Sequence, residues 1–572
     1  MGVAQFQQPD VFQSRPSQER RDRLGRTDHF LFREPRETNA GNFNERRQIG
    51  DEPFAVIAAV AQGFSEHKAS RGNPRILPAQ RGVKKIYNAR VRDPVPHSVP
   101  VRDHSSQEIA DRLGRGREAQ AHWRAYSLSQ RVRALRAFHE FLRKDRERLI
   151  SVIREETGKP RAEIEAMELD AAEMILKFFT RGAHRILRDR AVPRPWVLFN
   201  KRAYVRYAPR GLVGLVTPWN MPYLIPFGDA VPALLSGNAV VIKPSEWTTK
   251  TVLYLEDRFN ACGLFPEGLL QVCVGGGTVG KAVVEGVDMV LFTGSTATGR
   301  KIARAAAERL IPAVLELGGK HPMIVAKDAP MKRASKAAVW GRFANSGQIC
   351  VGVERIFVER PAYREFCEAL ETELKALRQN ADDGYGTDLG RLIFPGQLAV
   401  FERHAADAAE KGARVVGGKV LDREGLVAEP TIVFDATGDM LCMREETFGP
   451  LLAVSPVDNI DATVRALNDE SFGLAASVWT RDLRRGEALA VSMQSGLVGV
   501  NDLLTHYAVC ALPFGGMKQS GLGRRHSDDG LRMFCEQQSV IVHEFPANQP
   551  EFWWFPYARF KSAILSWLLR AS

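Results

Sequence analysis

The sequence predicts an α/β fold built on a doubly wound, Rossmann-type parallel sheet, and two features of the chain indicate it. Short apolar runs at residues 211–217, 239–243, 269–274 and 289–293 alternate with helical patterns. Runs of about four to eight residues separated by helices are typical of strands buried on both faces in βαβ units. Gly-rich segments follow the last two runs, where the chain of such a sheet turns from strand to helix.

Length and composition restrict the class of protein. At 572 residues and 44% hydrophobic content, the chain is long enough for several domains of about 150 residues each. The seven cysteines form no CxxC pair, so we predict neither a metal site nor a disulfide framework. No apolar run reaches the roughly 18 residues of a membrane span, and residues 1–30 lack the apolar core of a signal peptide. Cytoplasmic residence is the resulting expectation.

The positive charge of the chain is concentrated near its beginning. The net charge is +12, and residues 1–100 hold 17 Lys and Arg against 11 Asp and Glu. No motif of interleaved basic and aromatic residues accompanies this charge, so we expect no nucleic-acid partner. Residues 1–87 lack helical or strand periodicity, and we interpret them as a disordered extension or as a non-native product of an upstream translation start.

Further elements are predicted on both sides of the parallel sheet. Residues 107–155 have apolar positions at helical spacing, which predicts two or three amphipathic helices. Residues 196–207 alternate in polarity and predict a β-hairpin that turns at Asn200 and Lys201. Residues 536–545 predict a strand that pairs with this hairpin or with a neighbouring subunit.

A second α/β domain is predicted from about residue 322 to about residue 505. Apolar runs at residues 323–325, 355–358 and 452–454 alternate there with helical patterns, as they do in the first sheet.

A cysteine and a glutamate are the first candidates for chemistry. Cys350 ends the segment FANSGQIC, in a loop context where its sulfur can be exposed, and Glu316 begins the segment ELGGK upstream. A thiolate is a strong nucleophile, and a carboxylate can serve it or a water molecule as a base. The alternative for an isolated cysteine is a buried, inert side chain.

Several Gly-, Ser- or Pro-marked segments lie where strands of the first sheet end. GSTATG at 294–299 and GGGTVG at 275–280 connect a strand to a helix, where backbone amides favour a diphosphate. KPSE at 243–246 ends another strand at the same edge, where its lysine and carboxylate could hold ribose hydroxyls. The alternative for GSTATG is an ordinary helix cap.

The segment TPWNMP at 217–222 places a side-chain amide between a strand and a helix. Asn220 could donate a hydrogen bond to a developing oxyanion. Alternatively, it caps a helix that begins near Pro222. EETFGP at 445–450 and PFGGMKQSGLGR at 513–524 are further loops with many Gly and Pro positions.

Together these segments resemble the aldehyde dehydrogenase superfamily from about residue 90 to residue 545, with seven motifs in the family's order. The resemblance implies that Cys350 is the nucleophile, that Asn220 and the Cys350 backbone amide form the oxyanion hole, and that Glu316 is the general base. It implies that Lys243 and Glu246 face the adenosine ribose, that Gly294 and Ser295 face the diphosphate, and that Glu446 and Phe448 face the nicotinamide ribose and ring. The other expected cofactor contacts are Thr217, Pro218, Trp219, Ser245, Gly276, Gly280, Phe292, Thr293, Gly299, Leu317 and Gly318.

The implied architecture is an aldehyde dehydrogenase-like fold with three parts. The expected NAD-binding domain comprises residues 88–195 and 209–319, and the expected catalytic domain comprises residues 320–530. Residues 196–208 and 531–546 are expected to form a small bridging sheet for oligomerisation. A homodimer or a homotetramer is the implied assembly.

The residue types are consistent with oxidation of an aldehyde to an acid through a thioester that water hydrolyses. Glu316 favours hydrolysis over transfer of the acyl group to coenzyme A. Glu246 favours NAD because a carboxylate near the ribose repels a 2′-phosphate, although NADP is not excluded. His321 departs from the family pattern and could change the packing or the pH dependence near Glu316.

The last residues, 547–572, form an aromatic tail. Its part 552–572 combines Trp, Tyr, Arg, Lys and Leu in a pattern that suits a helix lying in a membrane interface, which would make the protein membrane-associated. The alternative is a helix packed on its own protein or across an oligomer. The tail and the loop at 501–506 look similar to membrane-associated relatives that oxidise hydrophobic aldehydes.

The substrate expectation follows from that similarity. A hydrophobic aliphatic or aromatic aldehyde is the first choice, and a semialdehyde such as succinic semialdehyde is the second. A hypothesis of a different class is a catalytically silent structural oligomer, against which the presence of Cys350, Glu316 and Asn220 together argues.

Overall fold

The computed structural model describes residues 102–379, 385–545 and 550–570. The predicted extension at residues 1–87 lies outside the described residues, as do positions 546–549 and 571–572 near the end of the chain. The helices are α1 Ser106–Trp123, α2 Leu128–Lys144, α3 Arg146–Thr157, α4 Arg161–Glu163, α5 Ala171–Ile186, α6 Leu224–Leu235, α7 Thr249–Ala261, α8 Gly277–Gly286, α9 Thr296–Glu308, α10 Met331–Phe343, α11 Arg360–Lys375, α12 Pro395–Glu410, α13 Leu441–Arg444, α14 Ile460–Asn468, α15 Leu483–Ser492, α16 Ser527–Arg532 and α17 Arg559–Arg570. The strands are β1 Arg190–Ala191, β2 Lys201–Pro209, β3 Leu212–Val216, β4 Ala239–Lys243, β5 Leu270–Val272, β6 Met289–Thr293, β7 Ala313–Glu316, β8 His321–Val325, β9 Val353–Glu359, β10 Arg414–Val416, β11 Val420–Asp422, β12 Val427–Ala428, β13 Thr431–Phe434, β14 Leu451–Val457, β15 Phe472–Gly473, β16 Ala475–Trp479, β17 Leu497–Val500, β18 Met517–Lys518, β19 Gly521–Leu522 and β20 Cys535–His543.

The first sheet is six-stranded and mostly parallel, with the order β19-β7-β6-β3-β4-β5. Its central strand β3 is almost wholly buried, as expected for a strand covered by helices on both faces. The chain runs from β3 outward through β4 to β5, then returns to the other side of β3 with β6 and β7. The sheet is therefore doubly wound, and its strand order reverses between β3 and β6. A crevice at that reversal is the usual ligand site of such folds.

Three amphipathic helices, α1 to α3, form around residues 107–155 as the sequence predicts. Ser105 and Ser127 cap α1 and α2, each in a reciprocal capping box with the residue three positions later. The apolar face of α2 supplies Leu135 and Phe138 to the core of the first domain, where Phe138 stacks edge-on against Phe259.

The second sheet is seven-stranded, with the order β10-β13-β14-β9-β8-β16-β17. All of its neighbours are parallel except the pair β10 and β13. The three strands predicted in this region coincide with parts of β8, β9 and β14. Separate apolar clusters cover its two faces, one including Phe401 and Leu451 and the other including Phe366 and Trp479. This sheet therefore forms a second α/β domain.

The third sheet contains β1, β2 and β20, and it corrects one prediction. β20 pairs with β2 along nine residues, so the predicted strand at 536–545 does pair with the segment near 200. The predicted hairpin at 196–207 is wrong, because residues Trp196–Leu198 form a 3₁₀ turn. Arg194 donates hydrogen bonds from its guanidinium to the carbonyls of Leu198 and Phe199, which holds the turn closed. The alternation of polarity there reflects exposed aromatic residues on a turn.

The chain crosses back to the first domain earlier than the boundary at residue 530 implies. Gly521 and Leu522 pair with Glu316 and Leu315, so β19 extends the first sheet. The reason is that Gly515, Gly516 and Gly521 bear no side chains where the returning backbone approaches the strand β7 and its own turn. Residues of the loop before α16 therefore lie beside the end of β7.

Candidate active site

The predicted cofactor residues gather at the carboxyl edge of the first sheet. Thr217 follows β3, Ser245 follows β4, and Gly294 follows β6, and these three strands are adjacent. Lys243 ends β4 and bonds through its Nζ to the carboxylate of Glu246 at 3.1 Å. The structure therefore brings the segments TPWN, KPSE and GSTATG to one edge, beside the reversal of strand order.

The turn after β6 is shaped by backbone bonds and by a cap. Gly294 donates its N–H to the carbonyl of Glu316 on the neighbouring strand at 3.1 Å. Ser295 caps α9 by accepting the N–H of Thr298, so the cap expected from the alternative interpretation is present. Gly299 packs against Leu317, where a Cβ would lie 2.5 Å from Leu317 Cδ2. Phe292 and Thr293 end β6 beneath this turn.

This edge fits a dinucleotide. The hydroxyl oxygen of Thr217 is buried without a hydrogen-bond partner among the described residues, so it can bond to a ligand. A Cβ at Gly277 would meet open space, and one at Gly280 would meet only Lys243 Cδ at 3.9 Å. Gly276 precedes α8 as its N-cap. Room, backbone amides and an unsatisfied hydroxyl are the features that a phosphate and ribose ligand requires.

The loop before Cys350 has three consecutive residues in the left-handed region. Asn345, Ser346 and Gly347 have φ values of 50°, 53° and 78°. Gly347 is required because a Cβ there would lie 2.2 Å from the carbonyl oxygen of Gly449. Gln348 holds the loop by donating from Nε2 to the Asn345 carbonyl and by accepting the N–H of Ile393. Strain of this kind persists where surrounding contacts enforce it, as at functional sites.

Asn220 is bonded to this loop. Its Nδ2 donates to the carbonyl of Gln348 at 3.0 Å, and its own carbonyl accepts from Nδ2 of Asn345 at 3.2 Å. An amide NH₂ has two protons, so one remains for a substrate oxygen. The alternative that Asn220 caps a helix beginning near Pro222 is wrong, since α6 begins at Leu224.

The start of α6 is capped by Glu168, a residue that was not predicted from the sequence. Its carboxylate accepts the N–H groups of Tyr223 and Leu224 and forms a buried ion pair with Lys159. A buried carboxylate at a helix N-terminus is stabilised by those amides and by the helix dipole. Glu168 thereby holds the strand-to-helix turn that presents Asn220.

Glu316 ends β7 in a buried position. Its side chain is 4% exposed, and no side chain among the described residues donates a hydrogen bond to either carboxylate oxygen. Burial raises its pKa to about 8, against the lowering effect of Arg525, Arg524 and the backbone N–H of Gly516. A carboxylate that no side chain bonds and that has a pKa near neutrality can act as a proton acceptor.

Cys350 is half-buried, whereas the other six cysteines are buried. All seven are free thiols. Burial raises the pKa of the Cys350 thiol to about 12, and the carboxylates of Glu316 and Glu446 contribute to the increase. In this arrangement the thiol is therefore protonated at neutral pH, so forming the thiolate requires a base or a nearby positive charge.

The segment around Glu446 closes the site on the other side. Glu446 accepts the N–H of Gly319 at 3.0 Å, and a Cβ at Gly318 would lie 2.5 Å from its Oε2. Burial raises the pKa of Glu446 to about 7. Phe448 has a positive φ of 46° and stacks edge-on against Trp219. Gly318 in ELGGK is thus needed for the close approach of Glu446.

A buried cluster of charged residues, which was not predicted from the sequence, supports the segment around Glu446. Glu354 accepts hydrogen bonds from Lys320 and Arg342 and from the N–H groups of Thr447 and Phe448. The guanidinium of Arg342 and the ammonium of Lys320 hold the pKa of Glu354 far below its usual range. Charged residues on both sides of the Cys350 loop are the signal that could have pointed to this cluster. The cluster around Glu354 fixes the loop of Glu446 relative to β9.

His321 does not have the pH-dependent role that the sequence suggested. It is 2% exposed, and its Nδ1 lies 2.8 Å from the carbonyl of Val351, next to Cys350. Burial lowers its pKa to about 4, so the imidazole stays neutral across the working pH range. His321 therefore supports the backbone after the thiol as a neutral hydrogen-bond partner.

Three further residues lie beside Cys350 and Glu316 without having been predicted. Arg525 and Asp229 form a buried ion pair at 3.1 Å, and Tyr507 lies close enough to influence the charges of Arg525 and Cys350. The motif PFGGMKQSGLGR ends one residue before Arg525, and this proximity is the signal that could have found it. No three His, Cys, Asp or Glu side chains within residues 102–379, 385–545 and 550–570 lie where they could hold a metal ion.

An apolar cavity of about 570 Å³ opens between α5 and the loop that contains Tyr507. It is lined by Met174, Phe178, Val509 and Cys510, with Lys177 and Arg181 at its rim. Tyr507 belongs to the same loop as Val509 and Cys510, and it is close enough to Cys350 and Cys510 for both thiols to affect its pKa. Gly228 on α6 lies against α5 and Tyr507, since a Cβ there would lie 3.0 Å from Ile175 and 3.9 Å from the Tyr507 hydroxyl.

A Rossmann-type cofactor edge, a half-buried thiol on a strained loop and a buried carboxylate define an oxidoreductase site that uses a nicotinamide dinucleotide. Comparison with known proteins gives its family. A model of the aldehyde dehydrogenase family matches residues 88–540. The chain belongs to the aldehyde dehydrogenase family and is an NAD(P)-dependent oxidoreductase that acts on aldehydes.

Individual relatives agree with this assignment. The chain is 38% identical over 453 residues to 4,4'-diapolycopene aldehyde oxidase of a Methylomonas species, covering 79% of this chain and 84% of that protein. It is 36% identical over 470 residues to a Mycolicibacterium smegmatis protein named "Putative succinate-semialdehyde dehydrogenase", with NADP(+) in its name, covering 81% and 88%. The solved aldehyde dehydrogenase of Mycobacterium tuberculosis complexed with NAD+ superimposes with a TM-score of 0.73 at 30% identity, covering 79% of this chain and 92% of that chain.

Proposed function

We propose that this enzyme oxidises a hydrophobic aliphatic or aromatic aldehyde to its carboxylic acid through a thioester on Cys350. The observation that supports the substrate class is the apolar cavity beside Tyr507, which is lined by Met174, Phe178 and Val509. Apolar walls with few polar groups favour a hydrocarbon chain. The cavity volume of about 570 Å³ is within the range of small-molecule sites.

The first chemical step is attack by Cys350. Its Sγ forms a bond to the aldehyde carbon, the thiol proton passes to a base, and the carbonyl π electrons move to oxygen. The second N–H of Asn220 and the backbone N–H of Cys350 would donate hydrogen bonds to that oxygen. NAD(P)+, when bound, accepts the hydride that leaves the carbon, and a thioester remains on Cys350.

Hydrolysis completes the reaction. Glu316 takes a proton from water, the water oxygen adds to the thioester carbon, and the Cys350 sulfur leaves and regains a proton. The burial of Glu316 and its lack of side-chain hydrogen bonds support this assignment. A pKa of about 8 lets the carboxyl group hold and release a proton near neutral pH.

The cofactor contacts are proposed from the geometry of the sheet edge. Lys243 and Glu246 would hold the adenosine ribose, Gly294 and Ser295 the diphosphate, and Glu446 with Phe448 the nicotinamide ribose and ring. The unsatisfied hydroxyl of Thr217 supports this placement. Glu246 is paired with Lys243 at 3.1 Å, and a carboxylate beside the ribose would favour NAD over NADP.

A second candidate substrate is succinic semialdehyde. Lys177 and Arg181 at the rim of the cavity provide positive charge for a substrate carboxylate, and one relative is named for that substrate. Lys177 is already paired with Glu173, which weakens this support. If succinic semialdehyde is the substrate, Arg181→Ala should reduce kcat/KM for it. If a hydrophobic aldehyde is the substrate, the same variant should oxidise decanal as fast as the wild type.

Gly228→Leu is expected to lower kcat/KM for decanal by about tenfold or more while sparing propanal. A leucine side chain would extend from a Cβ that already lies 3.0 Å from Ile175 and 3.9 Å from the hydroxyl of Tyr507, whose loop lines the cavity with Val509 and Cys510. Loss of a few methylene contacts in an apolar site is worth roughly 1–3 kcal/mol. NADH formation with a panel from succinic semialdehyde and propanal to decanal measures the effect.

The matched control for this substitution is Gly114→Leu, because a Cβ at Gly114 meets nothing within 4 Å. It should leave the whole panel unchanged. Equal loss for propanal and decanal in the Gly228 variant would contradict the cavity as the substrate site. No activity with NAD or NADP on any aldehyde would instead favour the remote alternative, a catalytically silent structural oligomer.

We also propose that the enzyme is a cytoplasmic homodimer or homotetramer. β20 is an edge strand whose outward side chains are exposed, and its unpaired backbone can join a second copy. Seven free thiols are consistent with a reducing compartment. Light scattering is expected to give a multiple of 63.7 kDa.

The tail helix α17 is proposed to dock on an anionic membrane surface. Phe560 and Trp567 are 61% and 67% exposed, and Arg559, Lys561 and Arg570 are its charged residues. Such a helix binds a bilayer through aromatic burial and attraction to anionic lipids. Within the described residues, no helix is both long and apolar enough to cross a membrane.

Removing residues 550–572 is expected to abolish sedimentation with vesicles that contain anionic lipid, while aldehyde oxidation and the oligomeric mass persist. Trp340→Ala serves as the control, because it removes an exposed tryptophan of α10, which is not part of the tail. Undiminished sedimentation of the truncated enzyme would refute the membrane role and leave the alternative of a helix packed on protein.

A further inference from the structure

The buried ion pair between Arg525 and Asp229 is the feature that the reaction scheme above leaves unused. Arg525 is 4% exposed and Asp229 is 7% exposed. Arg525 Nη2 lies 3.1 Å from Asp229 Oδ2 and donates to the hydroxyl of Thr293 at 2.6 Å. The backbone of Arg525 is fixed by two hydrogen bonds with Phe514. The guanidinium is held in the interior through its Nη2, while its Nε has no hydrogen-bond partner among the described residues.

The pair lies against Glu316. Thr293, to which Arg525 bonds, is the register partner of Glu316 on the adjacent strand. Glu316 Oε1 lies near the backbone of Gly515, where a Cβ would be 2.7 Å from it, and Gly515 follows Phe514. Arg525 exerts the largest opposing charge effect on Glu316, and Asp229 acts on it with the opposite sign. Glu316 and Asp229 therefore both interact with the same buried cation, Arg525.

The other charged and titratable groups facing these residues can be named. Arg524 faces Glu316 from the same segment, and Tyr507 and Cys350 face Arg525. Glu446 faces Cys350 from the opposite side. His526 is neutral, since burial and Arg525 lower its pKa to about 3. Burial raises the pKa of Asp229 to about 6, with Arg525 opposing the increase.

We propose that Asp229 and Arg525 are positioning residues for Glu316: Asp229 occupies the guanidinium group, so that the Glu316 carboxylate keeps no ion pair and stays available to take a proton from water. A guanidinium without Asp229 would be free to bond Glu316 in a two-pronged arrangement, which is the strongest ion pair available to a carboxylate. Glu316 would then be a weaker base. Without Arg525, two buried carboxylates would face each other with no cation between them.

This inference rests on the proposed role of Glu316 as the base, and the test separates the two. In the wild type, steady turnover falls as the pH drops and Glu316 becomes protonated. Glu316→Gln should remove that acid limb of the pH profile, and its persistence would show that another group is the base. Given loss of the limb in Glu316→Gln, the variants at Asp229 and Arg525 test the positioning role.

The two single variants should move the acid limb in opposite directions. Asp229→Asn removes a negative charge near Glu316 and frees Arg525, so the limb is expected to shift to lower pH by about one pH unit. Arg525→Gln removes the positive charge, so the limb is expected to shift to higher pH by a similar amount. Asp528→Asn is the control: Asp528 lies on nearby α16 and pairs with Arg185 of α5, and its replacement should leave the limb unchanged.

Leaving one buried charge without its partner can prevent folding, so the double variant Asp229→Asn with Arg525→Gln provides a second measurement. Because the two charge effects oppose each other, its limb is expected within about half a pH unit of the wild type. Single variants whose limbs stay in place or move in the same direction, or a double variant displaced by about one unit or more, would overturn the proposal. Cofactor binding and thermal unfolding establish that each variant is folded.

Discussion

Cys350→Ala is expected to lower aldehyde oxidation by at least about a thousandfold, because the thioester cannot form without the sulfur. The side chain lies half-buried on a loop whose three left-handed residues and whose bonds to Asn220 fix its place. Removing the thiol leaves those backbone contacts intact. NADH formation under saturating aldehyde measures the loss, and quenching of protein fluorescence by NAD establishes that the cofactor still binds.

The control for this substitution is Cys262→Ala, which removes a buried thiol at the end of α7. It should cost some stability and no activity beyond that. NADH formation that persists in Cys350→Ala would contradict the nucleophile assignment.

Chemical labelling provides an independent check of the same assignment. Since Cys350 is half-buried and the other six thiols are buried, iodoacetamide is expected to modify Cys350 first in the folded enzyme. Its raised pKa predicts slow labelling at neutral pH that accelerates as the pH rises. Equal labelling of several thiols would indicate that exposure of the Cys350 sulfur is not special.

Glu316→Gln is expected to slow steady turnover by roughly a hundredfold to ten-thousandfold while the first NADH release remains fast. The reason is that hydride transfer precedes hydrolysis, so the variant accumulates the thioester and shows a burst of NADH followed by a slow rate. Stopped-flow measurement of NADH separates the two phases. An unchanged steady rate would remove Glu316 as the base.

The pH dependence of the wild type gives the sign of the same effect. Burial raises the pKa of Glu316 to about 8, so the fraction of carboxylate increases as the pH rises through that value. Hydrolysis should therefore be faster at pH 9 than at pH 7, until other groups titrate. The control Glu256→Gln removes a carboxylate of the first domain that pairs with Arg112, and it should leave the burst and the profile unchanged.

The parallel strands and the main chemical residues were predictable from local sequence. The apolar runs that became β3, β4, β5 and β6 are short and separated by helical patterns, and this periodicity is a local property. The segments around Cys350, Glu316 and Asn220 were identified from residue types that suit thiol chemistry, in or beside Gly- and Pro-marked loops. The structure explains one of these glycines: at Gly347 a side chain would collide with Gly449.

The hairpin at 196–207 shows where local pattern was insufficient. Alternating polarity predicts a strand, but whether a partner strand is present depends on segments distant in the chain. Here β2 pairs with β1 and β20, so residues Trp196–Leu198 turn outside the sheet. Similarly, the return of residues 521–522 to the first sheet depends on space beside β7, which no local pattern records.

By itself, the sequence determined the strand and helix periods, the positions of the special loops and the residue types able to form a thioester and hydrolyse it. Only the tertiary structure decided that Glu354 would hold Lys320 and Arg342, and that Arg525 and Asp229 would meet beside Glu316. These charges come from segments far apart in the chain. Their pairing is enforced by burial, because an ion removed from water needs a partner that folding alone can bring to it.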